Sequence, residues 1–588
     1  MIHSLLVITM NLLASLGKAM ENHLKRRYVT ASWLILLLSL SSIALAVSPP
    51  PIQSQNGMVV TAQHLATDVG LRILLDGGNA IDAAVAVGYA LAVVHPCCGN
   101  IGGGGFMLIH RADGKDVFIN FREKAPLAAT PTMFLDADNN IISNASTDSP
   151  LAVAVPGTVA GLDVALSKYG TMGRMRVMTP AIKLAENGFI LGQDDIALLR
   201  ESEKQLRRDK NSALIFLRNG HSYEEGDKLV QKQLGNTLKM IARHGATVFY
   251  RGQISDSLVN DSQESGGILT KADLANYTTE ELEPVKCDYR GYSVISAPPP
   301  SSGGTTLCEI LNILEGYPMG SFGFQSAKGI HYMVEAMRHA YRDRNGELGD
   351  PNFVSNPVEK LLSKKYADNI RHEIPDDHAE PSEILEPSVV FREGENTTHY
   401  SIMDKYGNAV SVTYTINRYF GSYHIADNTG FLLNNEMDDF TAKPGTGNRF
   451  GLIQGEANAI APEKRPLSSM SPTIVMRNGK VVMITGSPGG SKIISSTLQS
   501  IINVIDYGLN IREAVNAPRI HHQWLPDIIF VEKYAVSPDT EENLKRMGYK
   551  FVVQRPWGTV DAILVDSTAG KLYGANDDRR PGGSARGY

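Results

Sequence analysis

The stretch that most restricts the fold runs from Thr397 to Ile416. Thr397 to Met403 carries strand-forming residues, and Asp404-Lys405-Tyr406-Gly407-Asn408 has the residue types of a tight turn. Ala409 to Ile416 then alternates small or polar with apolar side chains, the pattern of a half-buried strand. If Tyr406 is the centre of the turn, residues equidistant from it face each other. Met403 then meets Ala409, Ser401 meets Ser411, His399 meets Thr413, and Thr397 meets Thr415. Directly opposed side chains lie on one face, close enough to hydrogen-bond. The hairpin reading therefore predicts two threonine hydroxyls side by side at its open end.

The chain has 588 residues, enough for one large layered domain or several smaller ones. A net charge of -6 gives no basic footprint for nucleic acid. Four cysteines are too few for a disulfide scaffold, and none has CxxC spacing. The N-terminus reads as an export signal. Lys25-Arg26-Arg27 precedes the apolar run Trp33 to Ala46, which ends in a small-x-small cleavage pattern. Met20 is an alternative start. An uncleaved signal anchor is the competing reading.

Helical periodicity covers Thr61 to Leu75, closed by Gly77-Gly78-Asn79, and the alanine-rich Ala80 to Val94 reads as an interior helix. The run Gly99 to Phe106 lacks the Gly-Lys-Ser/Thr of a phosphate cradle and is read as close backbone packing before a strand, Phe106 to His110. Asp116 to Phe121 is a second strand, ending in Arg122, whose fork fits a carboxylate. Residues 150–285 read as helices with polar connections. Further helices are expected over Thr305 to Leu314 and Ile330 to Arg342, and an irregular exposed linker over 370–396. Gly430 to Leu433 is expected as a strand leading into Asn434-Asn435-Glu436-Met437-Asp438-Asp439. Such a set of carboxylates and amides is costly to bury unpaired and suits a cationic ligand. Residues 441–464 have the composition of a lid. Gly486-Ser487-Pro488-Gly489-Gly490 almost matches a nucleophile elbow, but Thr485 takes the first Gly position and no His/Asp order follows. Its two glycines, entering the helix Ser491 to Tyr507, present backbone N–H groups suited to an oxyanion.

Taken together, Gly77 to Ala84, Gly99 to Phe106, Phe121-Arg122-Glu123, Pro298 to Gly304, Thr397 to Tyr400, Asn434 to Phe440, Pro466 to Ser471, Gly486 to Gly490 and Ala585 to Tyr588 resemble the gamma-glutamyltranspeptidases, N-terminal-nucleophile hydrolases. The resemblance implies an α+β fold, a four-layer αββα sandwich formed by two chains from one precursor. It implies a signal peptide over 1–46, a large subunit over 47–396 and a small subunit over 397–588. Cleavage falls between Asn396 and Thr397. It makes Thr397 the nucleophile, with its own freed amino group as base, Thr415 its support, and Gly489 and Gly490 the oxyanion hole. Arg122, Ser468 and Ser469 would hold the donor's α-carboxylate, and Asn417, Glu436 and Asp439 its ammonium. No metal or cofactor is called for.

The implied donors are glutathione and other γ-glutamyl compounds, and the acceptors water, amino acids or dipeptides. The expected compartment is the periplasm, with secretion or membrane anchoring as alternatives. Glu436 stands where bacterial relatives can carry Gln, and Phe450 where some have Tyr. Cys97 and Cys98 are expected free, or one of them paired with Cys287 or Cys308. The rival readings are a cephalosporin or glutaryl acylase of the same fold and a non-enzymatic binding protein on this scaffold.

Overall fold

A computed structural model describes residues 49–382 and 397–588. The signal segment, Met20 and Asn396 lie outside the described residues. Two seven-stranded sheets, each antiparallel throughout, form the centre. In the first, the strands run from edge to edge as Ser584–Gly587, Met58–Thr61, Thr397–Met403, Ala409–Thr415, Gly104–His110, Asp116–Phe121 and Glu280–Leu282. In the second they run Ile52–Ser54, Lys571–Ala575, Ala562–Asp566, Lys480–Thr485, Thr473–Arg477, Tyr292–Ser296 and Val285–Tyr289.

Three apolar clusters define the layers. Met58, Val60, Phe106, Leu108 and Phe118 of the first sheet pack onto Ile474, Met476, Ile484 and Ile563 of the second. The outer face of the first sheet is covered by the helices His64–Leu75, Ala80–Val94, Thr158–Tyr169 and Arg174–Asn187. That of the second is covered by Gly303–Leu314, Ala327–Glu347 and Ile493–Ile505. The order is αββα. The alternation of each strand feeds one face to the sheet-on-sheet core and the other to the helices. Ala80–Val94 is buried along its whole length, and its start is fixed by a capping box between Asn79 and Asp82.

The hairpin register agrees residue for residue with the turn arithmetic, from Met403 opposite Ala409 to Thr397 opposite Thr415. Four expectations need correction. Gly430 to Leu433 is not a strand. Gly430 sits at φ 72°, and the Leu433 carbonyl accepts from Ser422 N–H instead of from a ladder partner. The helix Lys364–Glu373 extends into the segment read as irregular. The helix after Gly490 begins as a 3-10 turn, Gly490–Lys492, and runs only to Ile505. The cysteines pair as Cys97–Cys98 and Cys287–Cys308, so none is free and no bond joins the two groups.

The glycine-rich run does what close packing requires. A Cβ at Gly102 would lie 2.1 Å from the Leu432 carbonyl oxygen, and one at Gly103 would lie 1.8 Å from that of Thr415. Those contacts dock the Gly99 to Phe106 segment against both the hairpin and the polar loop after Leu433. Among the described residues no helix is long and apolar enough to cross a membrane.

Candidate active site

Thr397 begins its strand at the open end of the hairpin. Its hydroxyl donates to Thr415 Oγ1 at 3.2 Å, and Thr415 Oγ1 also accepts from Asn417 N–H at 2.9 Å. Asn417 adopts φ 71°, a left-handed conformation that Asn tolerates better than most residues. That turn ends the strand immediately after the threonine and carries Asn417 Nδ2 onto the Asn435 carbonyl, 3.0 Å away. Further along the same strand, His399 is buried between Thr413 Oγ1 and Ser401 Oγ, at 2.8 and 3.1 Å. Burial pulls its pKa down to about 3, so the ring is neutral and serves the sheet.

Both threonines line a cavity of about 30 Å³ with Arg122, Asn417, Glu436, Asp439, Ser468, Ser469 and Gly490. Nine of the ten residues expected at the site are therefore on one wall system, and Gly489 is the chain neighbour of Gly490. Gly489 and Gly490 hold φ 131° and 57°, and a Cβ on Gly490 would lie 2.4 Å from the Phe450 ring. Asn448, Phe450, Leu452 and Gln454, from the segment expected as a lid, close one side.

The far end is an electrostatic cage. Arg122 is buried and donates to Glu436 Oε1 and Asp439 Oδ2, with Glu123 Oε2 3.5 Å away. Burial would lower the Arg122 pKa, but Glu436, Asp439 and Glu123 outweigh it and hold the guanidinium charged. Burial raises Glu436 well above the carboxylate range, and the nearby Glu123 and Asp439 charges add to this against Arg122. Glu123 is pushed up to about 7, again mainly by burial, with Arg122 opposing. Glu123 Oε1 and Glu436 Oε2 have no hydrogen-bond partner. A buried carboxylate oxygen without a partner is costly.

Arg122 is engaged by the acidic pair. The serines are held elsewhere. Ser302 N–H donates to the Ser468 carbonyl at 2.8 Å, and Ser468 N–H donates to the Pro300 carbonyl at 2.9 Å, so the Pro298 to Gly304 loop braces this wall. Ser469 Oγ accepts from Arg344 Nη2 at 3.1 Å.

Arg344 is a site residue that sequence reasoning missed. It lies in the last turn of Ala327–Glu347, is buried, and also donates to Ser302 Oγ and Gln454 Oε1. Burial draws its pKa down to about 10, still well above neutrality. The available signal was the composition of that helix. Charged residues fall on every face of it, so some had to point inward. In all, three carboxylates meet the Arg122 guanidinium, and Arg344 joins Arg122, Glu436 and Asp439 in lining the cavity.

Two stacked sheets between helical layers, with a threonine hydroxyl at the head of a central strand, define an N-terminal-nucleophile hydrolase. The sequence profile described as Gamma-glutamyltranspeptidase matches residues 66–587, and the chain belongs to that family. It is 56% identical to the glutathione hydrolase proenzyme of Pseudomonas sp. (strain A14), over 92% of this chain and 96% of the relative. Among solved structures, it is similar to the cephalosporin acylase from Bacillus halodurans, with a TM-score of 0.80 and 29% identity over 93% of this chain and 98% of the acylase chain. It is also similar to the Helicobacter pylori gamma-glutamyltranspeptidase, with a TM-score of 0.53 and 45% identity over 59% of this chain and 97% of that chain.

Proposed function

We propose that the chain is a self-processing γ-glutamyl acyltransferase and hydrolase acting on glutathione and related γ-glutamyl amides. The observation that carries this reading is one cavity with a paired threonine hydroxyl at one end and the Arg122–Glu436–Asp439 cage at the other. A γ-glutamyl group needs both ends: an acyl carbonyl at the nucleophile, and a site for an α-ammonium and α-carboxylate. The surplus of carboxylates favours the ammonium, and Arg122 fits the carboxylate as a bidentate fork.

Processing comes first. The Thr397 hydroxyl attacks the Asn396 carbonyl, the C–N bond breaks to free the Thr397 amine and leave an ester, and water hydrolyses that ester to part the chains and restore the hydroxyl. A hydroxyl at its ordinary pKa is a weak nucleophile and needs a base. The freed α-amino group, with an ordinary pKa of about 7.7–8.0, meets that need. In turnover it takes the Thr397 proton as Oγ1 attacks the γ-carbonyl, and returns it to the departing amine, cysteinylglycine when glutathione is the donor. Thr415 orients the hydroxyl, and the Gly489 and Gly490 N–H groups stabilise the developing oxyanion. Water, or the amine of an amino acid or dipeptide, then takes the glutamyl group from the ester. Opening of the 441–455 lid admits the donor. Export to the periplasm completes the proposal, supported by the basic and apolar segments before Pro49.

The test is a comparison of donors. A γ-glutamyl anilide is expected to turn over at least tenfold faster than the matching glutaryl anilide, which lacks only the ammonium. Preference for glutaryl would move the chain to the acylases. N-terminal sequencing of the exported small fragment is expected to begin at Thr397.

A further inference from the structure

Away from the nucleophile, the adjacent residues Cys97 and Cys98 are joined by a disulfide and buried. Their surroundings differ from those of an inert cross-link. Cys97 Sγ lies 3.6 Å from His95 Nε2, and Arg580 Nη1 reaches both His95 Nε2, at 2.8 Å, and Cys98 Sγ, at 3.5 Å. A guanidinium beside a sulfur stabilises the thiolate and so makes it a better leaving group. His95 and Arg580 also form part of the wall of a cavity of about 390 Å³, which Gln63, His64, Tyr419 and Arg579 help to line. The sulfurs therefore lie one side chain beneath a space large enough for a small peptide.

The backbone of the same pair supports the active site. The Cys98 carbonyl accepts from Ile416 N–H at 3.1 Å, and the Cys97 carbonyl from Phe420 N–H at 2.8 Å. These two bonds bracket the turn that carries Asn417 and follows Thr415.

We propose that Cys97–Cys98 is a thiol-exchange site for low-molecular-weight thiols, whose redox state is felt by the Thr415–Phe420 turn. A thiolate attacks Cys97 Sγ, the S–S bond breaks, and its electron pair passes to Cys98 Sγ beside Arg580. A second thiolate attacks the external sulfur of the mixed disulfide and releases Cys97 as thiolate. The pair gains two electrons, and two thiols become one disulfide. The reductant is a cysteine-containing peptide thiol. On the proposed function, both glutathione and the released cysteinylglycine qualify, so the thiol source rests on that reading. Loss of the sulfur link removes a covalent restraint on the segment that presents the two carbonyls, and so loosens the turn.

The experiment uses the full processed protein and glutathione as probe, followed by alkylation without denaturant and peptide mapping. The expected result is two alkylated thiols on the Cys97–Cys98 peptide and none on the peptides carrying Cys287 and Cys308, which serve as the internal control. Arg580→Met is expected to slow the exchange at least tenfold relative to wild type. With the thiol-free donor γ-glutamyl-p-nitroanilide, kcat/KM is expected to fall several-fold on reduction and recover on reoxidation. The double variant Cys97→Ser/Cys98→Ser is expected not to respond. Labelling that appears only after denaturation, or equal labelling of both pairs, overturns the exchange site. Labelling with unchanged kcat/KM overturns the link to the turn. The labelling needs no turnover, so a chain without γ-glutamyl activity would still give it, and the two readings fail separately.

Discussion

The two ends of the cavity are built by different means. The end with the paired threonines is made by backbone. A five-residue turn sets a register, the register opposes Thr397 and Thr415, and a left-handed Asn417 stops the strand. The cage is made by charge brought from distant parts of the chain: Arg122 and Glu123 from one strand end, and Glu436 and Asp439 from a 3-10 turn, with Arg344 on the same cavity wall from a helix. Local geometry of the first kind tolerates change around it. The second kind is a balance, and removing one member leaves the others buried and unpaired.

The largest expected effect is at the backbone-built end. Thr397→Ala should give a single uncut band on a denaturing gel and lose turnover by roughly 10⁴-fold or more, as when any essential nucleophile is removed. If it still cleaves itself, the nucleophile is another residue. Next comes Arg122→Ala, which strands Glu436 and Asp439. Truncating one partner of a buried charge pair in a binding site costs about 2–5 kcal/mol, so kcat/KM for a γ-glutamyl anilide should fall roughly 10²–10³-fold. Processing should continue, and equal loss of both would make Arg122 structural. Such a result would also erase the contrast between the two ends.

Gly490→Ala should reduce kcat by roughly 10–100-fold, because the added methyl needs the space of the Phe450 ring and strains a left-handed backbone beside the oxyanion site. Crystallography of the variant should show Phe450 displaced.

The smallest effect is a pH response. Glu123, raised to about 7 chiefly by burial, is largely neutral below that pH and ionises above it. An acid whose folded-state pKa lies above its ordinary value gains charge in the fold only at a cost, so its ionisation weakens stability as pH rises through about 7. The same ionisation strengthens attraction for an ammonium. Donor KM should therefore fall a few-fold as pH rises through about 7, and Glu123→Gln should remove that step. The rise in kcat set by the Thr397 amino group should remain in the variant, and this separates the cage from the nucleophile.

The same contrast explains what could be read from the residues alone. The hairpin was legible to the residue because turn chemistry and alternation are local, and the Gly102–Gly103 packing was legible for a similar reason. The cage was legible only as residue types. Nothing local tells Arg122 that its partners are Glu436 and Asp439, since that depends on how a 3-10 turn more than three hundred positions away returns to the strand end. Arg344 escaped notice because a charged helix is normally read as a solvated one. Gly430 to Leu433 has strand-like composition, but Gly430 is left-handed, and Leu433 gives its N–H to the His424 carbonyl while its own carbonyl accepts from Ser422.

The order of strands in the first sheet has a further consequence. Met58–Thr61 lies between Thr397–Met403 and Ser584–Gly587, and Ala409–Thr415 lies between Thr397–Met403 and Gly104–His110. The second sheet is shared in the same way, with Ile52–Ser54 on Lys571–Ala575 and Tyr292–Ser296 on Thr473–Arg477. If the chain is cut before Thr397, as proposed, each fragment completes ladders begun by the other. Dilution alone would then not part them, and two differently labelled populations mixed after maturation would yield no hybrids. Each small fragment would keep for life the large fragment it was synthesised with, so a lesion in one could not be rescued by trading partners.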